Sequence, residues 1–319
     1  MSKIALETEK KFKIAYVCLC HTDPEFVAHT AKTLQYGEDG FFIHVDKKRD
    51  IQPFLEACES LSNVFFVEER IANYWGGFNS IVATMRTLKL ACETDDYDRF
   101  VLLQGQDYPL FSPKEIHDFF IAHSDIEFCK GKNISVSNDK KDYMKCCGYW
   151  LMDAKTNGFL TKAFRFCLNK INRFGIKYRA SRFKMKNEKW NIYHGWAQFA
   201  LTRECVLHIL NVYKNNNSYN KYMAHRFPPD ELYIPTIVHN SQFKNNISKS
   251  VISRRNGEET LLNLTYFEYP SQVTVFKEKN DYSWLKNTGC LFARKINSSS
   301  KELLKEIDKH IAMQILKKD

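Results

Sequence analysis

The sequence contains no long hydrophobic run and no cysteine pair with the spacing of a zinc ribbon. Because a bilayer-spanning helix needs about 18 consecutive apolar residues, we expect no transmembrane helix in this 319-residue chain. The first residues, MSKIALETEKK, mix acids and lysines without an apolar centre, so we expect no signal peptide. The ten cysteines include no Cys-x-x-Cys, and most lie among apolar residues. We therefore expect reduced, buried thiols and a cytoplasmic protein.

Several cofactor and catalytic motifs are also missing. The chain lacks the Gly-x-x-x-x-Gly-Lys loop of ATP-binding proteins and the Gly-x-Gly-x-x-Gly turn of dinucleotide-binding proteins. It lacks the Gly-x-Ser-x-Gly of serine hydrolases, and its histidines show no metal-ligand spacing. Asp96 and Asp98 form an Asp-x-Asp pair of the kind that holds a divalent cation in many nucleotide-sugar enzymes. The pair precedes a predicted strand, however, and so lies at the wrong end of the sheet. We expect no bound metal.

The positive charge is concentrated in one segment. The chain has a net charge of +10. Residues 161–190 contain ten lysines and arginines against one acid, Glu188, which leaves +9 there. Aromatic residues are interleaved with these charges. One interpretation is a solvated surface, and another is a surface that contacts an anionic membrane, a diphosphate lipid or nucleic acid.

Apolar runs alternate with helical patterns in the amino-terminal part. Helices are predicted after the N-caps Asp23 and Asn79, after Ser112, which we expect to form a capping box with Glu115, and after Thr202. This alternation predicts an α/β fold with a mainly parallel sheet flanked by helices. Four apolar runs predict its buried strands, at 12–20, 41–45, 63–67 and 99–104.

Acidic residues follow predicted strands or open a predicted helix at three places. Asp46 follows the second strand, Asp107 follows the fourth, and Asp230 with Glu231 opens a later helix. Open α/β sheets bind ligands beyond the carboxyl ends of their strands, so these acids are candidates for a site. Each also has a structural interpretation. Asp46 suits a helix cap, Asp107 suits a turn, and Asp230 with Glu231 suits the dipole of a helix.

The same residues suggest a chemistry that needs no metal. Without a cation, a leaving diphosphate must be neutralised by lysine and arginine side chains. Arg254, Arg255, Arg294 and Lys295 are available for this. One carboxylate that deprotonates an acceptor hydroxyl would complete an inverting group transfer, and Glu231, at a helix start, suits that role.

Seven segments now resemble one family, in the same order along the chain. The family is the core-2/I-branching glycosyltransferases, which include β-1,6-N-acetylglucosaminyltransferases and peptide O-xylosyltransferases. The segments are AYVCLCH (15–21), IHVDKK (43–48), WGGFNSIVATM (75–85), LLQGQDYPLFS (102–112), AQFALTRECV (197–206), PDELYIPTIVHNSQF (229–243) and LFARK (291–295).

This resemblance implies a glycosyltransferase A-type (Rossmann-like) fold and metal-independent, inverting transfer from a UDP-sugar. It implies no cofactor, and N-acetylglucosamine or xylose as the sugar. By the matched motifs, Glu231 is the expected catalytic base, Asp46 is expected to contact the uridine and Lys295 to face the diphosphate. Trp75 and Asp107 lie on family motifs of the nucleotide-sugar site, and we expect site-shaping roles for them.

The chain also departs from the family pattern. The N-acetylglucosaminyltransferases have a second diphosphate-binding arginine about 23 residues before the lysine, where this chain reads Ser271-Gln272-Val273. Arg254, Arg255 and Lys277 are candidates to replace it. The membrane anchor and lumenal disulfides of the animal enzymes are missing, which suggests an enzyme on the cytosolic face of a membrane. Its acceptor would be a glycan or a lipid-linked glycoconjugate.

We expect a single domain, 1–319, with four parts. They are a nucleotide-sugar-binding half (12–135), a basic, aromatic-rich insertion (136–190), an acceptor and catalytic half (191–296) and a carboxyl-terminal amphipathic helix (297–319). The basic segment 161–190, together with that helix, could dock on an anionic membrane. The alternative function is a non-catalytic basic module that binds nucleic acid or anionic glycan. Under the enzyme hypothesis, no nucleic acid is a partner.

Overall fold

The computed structural model describes residues 11–153, 163, 164, 166–168, 170, 182–185, 188–269 and 273–316. The strands are β1 (Ile14–Cys20), β2 (Gly40–Val45), β3 (Val64–Phe66), β4 (Arg99–Gln104), β5 (Asp107–Pro109), β6 (Gly131–Asn133), β7 (Arg182–Met185), β8 (Glu188–Asn191), β9 (Tyr193–Gly195), β10 (Ala200–Thr202), β11 (Ile252–Ser253), β12 (Glu259–Thr260), β13 (Thr265–Phe267) and β14 (Phe292–Arg294).

The α-helices in the same residues are α1 (Pro24–Thr33), α2 (Gln52–Cys58), α3 (Asn79–Thr94), α4 (Pro113–Ala122), α5 (Lys140–Cys147), α6 (Arg203–Asn215), α7 (Asn217–Met223), α8 (Tyr233–His239), α9 (Asp281–Lys286) and α10 (Lys301–Leu316). Two 3-10 helices span Pro229–Glu231 and Gln242–Asn246.

The central sheet is mainly parallel, as the alternation of strands and helices predicts. Its strand order is β10-β4-β1-β2-β3, and only β10 runs antiparallel to its neighbour. All four predicted strands are present, although β3 is short. A second sheet, β13-β14-β5, continues from the carboxyl edge of the first, and an antiparallel ribbon pairs β6 with β9.

Both faces of the central sheet are covered, which explains why its strands are continuous apolar runs. Ala15 and Val17 on β1 pack in one core cluster with residues of α3, α6 and α8. Tyr16 and Cys18 pack on the other face with residues of α1, α2 and α4. Of the nine cysteines described, none forms a disulfide and seven are buried, which confirms the expectation for most of them.

Two of the predicted helix caps, Ser112 and Thr202, are present in the structure. The Ser112 hydroxyl accepts from the Glu115 N–H at 3.3 Å, and the Glu115 carboxylate accepts from the Ser112 N–H at 2.8 Å. This is the predicted capping box. Thr202 caps α6 by accepting from the Cys205 N–H at 3.3 Å, also as predicted.

Two other cap predictions were wrong. Asp23 lies in the left-handed region (φ 62°), and its carboxylate accepts from the Ser298 N–H at 3.0 Å instead of capping α1. Asn79 is the first residue of α3 rather than its cap. The Asp153 carboxylate accepts from the N–H groups of Phe78 and Asn79 at 2.7 and 3.1 Å. At α3 a distant carboxylate therefore supplies the cap, whereas the Asp23 carboxylate is bound to a distant donor and α1 has no side-chain cap.

The carboxyl-terminal helix α10 is amphipathic, and its apolar face is buried within the protein. Leu303, Leu304, Ile307 and Ile311 pack in a third core cluster with residues of β5, β13, β14 and α9. The expectation that this face docks on a membrane is therefore wrong for the part of the helix described, because the fold itself covers it.

Most of the basic segment 161–190 lies outside the described residues, so its expected contact with an anionic surface stays a prediction. The described part of this segment includes β7 and most of β8, which pair as a hairpin, and α5 lies before it in the chain. Among the helices of the described residues, none combines the length and apolar character needed to cross a bilayer.

Candidate active site

Asp46 lies directly after β2 and is almost fully buried. Its Oδ1 accepts from the Lys48 N–H at 2.9 Å, and its Oδ2 lies 3.3 Å from the Lys48 ammonium. A cavity of about 330 Å³ begins at the next residue and is bounded by Lys47, Glu68, Glu69, Arg70 and Arg86. Burial lowers the pKa of the neighbouring His44 to about 4, and its Nε2 accepts from the Ile71 N–H at 3.0 Å. His44 is therefore neutral and structural.

Asp107 is fully buried on β5, where it faces Arg294 on the antiparallel strand β14. Its Oδ1 accepts from Arg294 Nη1 at 2.7 Å, and its Oδ2 accepts from the Gln104 N–H at 2.9 Å. Burial raises the pKa of Asp107, and the charge of Arg294 opposes this. Because both oxygens are satisfied, Asp107 acts as an anchor for Arg294.

Lys295 follows Arg294 and differs from it in having no acidic partner. Among the described residues, its ammonium makes no hydrogen bond or ion pair. Burial lowers its pKa, with a smaller contribution from the charge of Arg294. A partly buried lysine without a carboxylate beside it is suited to receive an anionic ligand.

Glu231 ends the 3-10 helix that leads into α8, and its carboxylate is held by a histidine. Glu231 Oε2 lies 2.7 Å from His194 Nε2 on β9. The same ring nitrogen lies 2.6 Å from the ammonium of Lys145 on α5. Sequence reasoning missed Lys145 and His194, because neither belongs to a motif and they lie 49 residues apart.

Asp230 is in an unusual environment beside Glu231. Its Oδ1 is buried and has no hydrogen-bond partner in the described part of the chain. Burial and the neighbouring Glu231 carboxylate raise the pKa of Asp230 to about 7, and Arg294 acts in the opposite direction. Arg294 also contributes to the lowered pKa of His21, for which burial is the main cause. The charge of Arg294 on β14 therefore acts both on His21, which follows β1, and on Asp230, which precedes Glu231.

Trp75 is the most exposed of the large apolar side chains described, at 80%. Its ring meets the Phe227 ring edge-on, with centroids 5.1 Å apart. The next residue, Gly76, has φ +71°, and a Cβ there would lie 2.3 Å from the Phe227 ring. On its other side, Tyr74 lies beneath the Lys48 ammonium. Trp75 is thus placed between the loop of Asp46 and the segment that leads to Glu231.

The other proposed diphosphate contacts differ in availability. Arg254 lies 3.8 Å from Glu268 and near the Phe267 ring. Arg255 is engaged elsewhere, since its guanidinium pairs with Asp281 on α9 at 2.8 Å and also lies over the Trp284 ring. Residues 271 and 272, where the family arginine is expected, lie outside the described residues.

The Asp-x-Asp pair lies at the amino end of β4, as predicted. Asp98 accepts from the Lys13 N–H at 2.9 Å, and Asp96 pairs with Arg203 at 2.7 Å. Across the described ranges, no three or more His, Cys, Asp or Glu side chains are grouped to hold a metal ion. A larger cavity of about 480 Å³, lined by Lys130, His239 and Ser250 among others, contains none of the candidate site residues.

A family model, Core-2/I-Branching enzyme, matches residues 14–254. The chain belongs to this family. The match includes Asp46, Trp75, Asp107 and Glu231, whereas Lys295 lies beyond its end. The mixed α/β architecture with a mainly parallel central sheet is consistent with a glycosyltransferase A-type fold.

Similarity to characterised proteins is weaker and partial. Xylosyltransferase 1 of Homo sapiens and that of Pan troglodytes are each 25% identical to this family member over 123 residues. The Rattus norvegicus protein is 24% identical over the same length. These alignments cover 37% of this chain but only 13% of the human and chimpanzee proteins and 15% of the rat protein. Family and relatives together support glycosyltransferase activity.

Proposed function

We propose that this protein is an inverting glycosyltransferase that needs no metal ion and moves a sugar from a UDP-sugar to a hydroxyl of a glycan or glycoconjugate. Two groups with complementary chemistry support the proposal. One is Lys295, a cation without an ion-pair partner among the described residues, and the other is Glu231, a carboxylate held at the start of a helix. The charge of Arg294, the neighbour of Lys295, also acts on Asp230, the neighbour of Glu231.

The donor would lie across the carboxyl edge of the sheet. Asp46 and its adjoining cavity suit the uridine, and Lys295 suits the diphosphate. Arg254 is more available than Arg255 as a second cation, because its distance to Glu268 is long and Arg255 is committed to Asp281. Lysine and arginine would then supply the charge that a divalent cation supplies in other transferases.

Glu231 would act as the general base. As the acceptor oxygen forms its bond to the anomeric carbon, the acceptor proton moves to the Glu231 carboxylate. The bond from the anomeric carbon to the diphosphate breaks on the opposite face, and its electron pair leaves on UDP beside Lys295. One displacement of this kind inverts the anomeric configuration. Trp75 offers an exposed ring face between the two partners, which suits contact with a sugar ring.

The sugar is N-acetylglucosamine or xylose in this proposal. The family includes enzymes for both, and the characterised relatives described above are xylosyltransferases. UDP-xylose and UDP-N-acetylglucosamine are therefore the first donors to compare. The alternative, a non-catalytic basic module, rests on residues 161–190, and no contact in the described part of the chain favours it.

Calorimetric titration of the purified protein with UDP, first in EDTA and then with manganese, tests the proposal. We expect micromolar binding that EDTA does not change, followed by transfer from one of the two UDP-sugars to a glycan acceptor. Binding only in manganese would show a metal site and end the metal-free mechanism. Absence of binding under both conditions would overturn the enzyme proposal.

A further inference from the structure

Helix α5 belongs to the inserted segment (136–190). It is linked to the proposed base, Glu231, through His194. Lys132 on β6 and His194 on β9 are directly opposed in the ribbon, so their side chains share one face. Helix α5 packs on this face with two side chains three residues apart. Asp142 pairs with Lys132 at 2.6 Å, and Lys145 contacts His194 at 2.6 Å.

The Nε2 atom of His194 contacts one donor, the Lys145 ammonium, and one acceptor, the Glu231 carboxylate. A lysine ammonium only donates, a carboxylate only accepts, and Nε2 carries either a proton or a lone pair. Protonated, Nε2 donates to Glu231. Unprotonated, it accepts from the Lys145 ammonium, whose charge then lies beside the carboxylate. The Nε2–H arrangement stabilises the ionised form of Glu231 by a hydrogen bond, and the nearby charge of Lys145 acts in the same direction.

A second acid, Asp230, lies beside Glu231. Burial and the Glu231 carboxylate raise the pKa of Asp230, and Arg294 on β14 acts in the opposite direction. Burial lowers the pKa of Lys145, and the charges of Glu231, Asp142 and Asp139 act in the opposite direction. The contacts from Lys145 through His194 therefore bring a positive charge towards the Glu231 carboxylate.

We propose that Lys145 and His194 are positioning residues that keep Glu231 ionised and correctly oriented, so that the inserted segment sets the acid limit of activity. This inference rests on the proposed function, because it assumes that Glu231 is the base. It means that α5 influences the rate of the reaction through Glu231, in addition to any contact with the acceptor.

The test is the pH dependence of turnover at saturating donor and acceptor, for the wild type and the variants Lys145→Met and His194→Ala. An opposite charge nearby typically lowers a carboxyl pKa by about 1–3 units. We therefore expect the acid limb of the profile to move up by about one pH unit in each variant, with KM for the donor unchanged. His194→Gln, whose amide N–H can replace Nε2–H, should restore much of the wild-type limb.

Two control variants separate electrostatics from simple packing. Lys141→Met removes a lysine from the same helix at an exposed position without a contact to His194. Lys132→Met removes the other ion pair that holds α5 on the ribbon. Neither should move the acid limb. Equal losses at every pH in Lys145→Met and Lys132→Met would mean that α5 only supports the fold, and would overturn the proposal.

A measurement without turnover separates this inference from the proposed function. The carboxyl carbon of Glu231 can be titrated by ¹³C NMR, and its signal is assigned by its loss in Glu231→Gln. If the wild type transfers no sugar, the proposed function fails. The inference about Lys145 and His194 then still stands or falls on whether the pKa of Glu231 rises in Lys145→Met. An unchanged pKa of Glu231 would reject it.

Discussion

The buried acids of the sheet region and those of the Glu231 turn are satisfied to different degrees. Asp39 accepts from the Ile14 N–H at 2.8 Å and contacts His117 at 2.7 Å. Glu127 accepts twice from Thr202, and Asp107 accepts from Arg294 and the Gln104 N–H. At the turn, Asp230 keeps one buried oxygen without a partner in the described residues. Acids with two satisfied oxygens stabilise the fold, whereas an unsatisfied group needs another explanation, such as a role in catalysis.

The largest effect is expected at the turn. Glu231→Gln removes the proposed base while keeping its size, and general bases typically contribute about 10²–10⁴-fold to rate. We expect turnover to fall by about that factor, with UDP binding and the urea midpoint close to those of the wild type. Near-normal turnover would rule out Glu231 as the base.

In the sheet region the corresponding change should act on stability. Arg294→Met leaves the buried Asp107 carboxylate without its cation, and breaking such a pair typically costs about 3–5 kcal/mol. We expect a loss of this size in the free energy of unfolding, measured in urea. The double variant Arg294→Met with Asp107→Asn should recover much of it. If the double variant is no more stable than Arg294→Met, the pairing with Asp107 is not the cause.

Asp230→Asn tests whether the turn lowers stability. The pKa of Asp230 is raised to about 7 from its ordinary 3.8, so the folded protein holds this proton after the unfolded chain has lost it. Stability of the wild type should therefore fall as pH rises from about 4 to 7. One pKa unit corresponds to about 1.4 kcal/mol, which sets an upper limit of about 4 kcal/mol. Asp230→Asn should lack this decrease. If the free energy of unfolding changes with pH in parallel in the variant and the wild type, the expectation is contradicted.

The smallest effect is expected at Trp75. Loss of an aromatic contact typically costs about 0.5–1.5 kcal/mol, so Trp75→Ala should raise KM for donor or acceptor roughly 3- to 10-fold. Separate titrations of donor and acceptor will show which sugar meets the ring. Tyr36→Ala is a suitable control, because Tyr36 is also exposed but contacts His117 on α4, away from the site. Equal effects in both variants would exclude a sugar contact at Trp75.

Much of the scaffold was predictable because its signals are local. Strands buried on both faces must be continuous apolar runs, and β1, β2 and β4 appear where those runs occur. Ser112 and Glu115 lie one helical turn apart, so their capping box depends on almost nothing outside that turn. The motif order also made Asp46, Asp107 and Glu231 candidates for one site, which stays a prediction.

The tertiary structure alone decided which partners these residues have. Ser298 reaches Asp23 across 275 positions, Asp153 replaces the expected cap of α3 across 75, and His194 meets Glu231 across 37. A carboxylate pairs with whichever donor the chain packs against it, and packing depends on all elements together. The sequence by itself therefore determined which residues carry charge and where strands and helices begin. The fold decided that Asp107 pairs with Arg294, that Lys295 makes no ion pair among the described residues, and that Lys145 and His194 lie at Glu231.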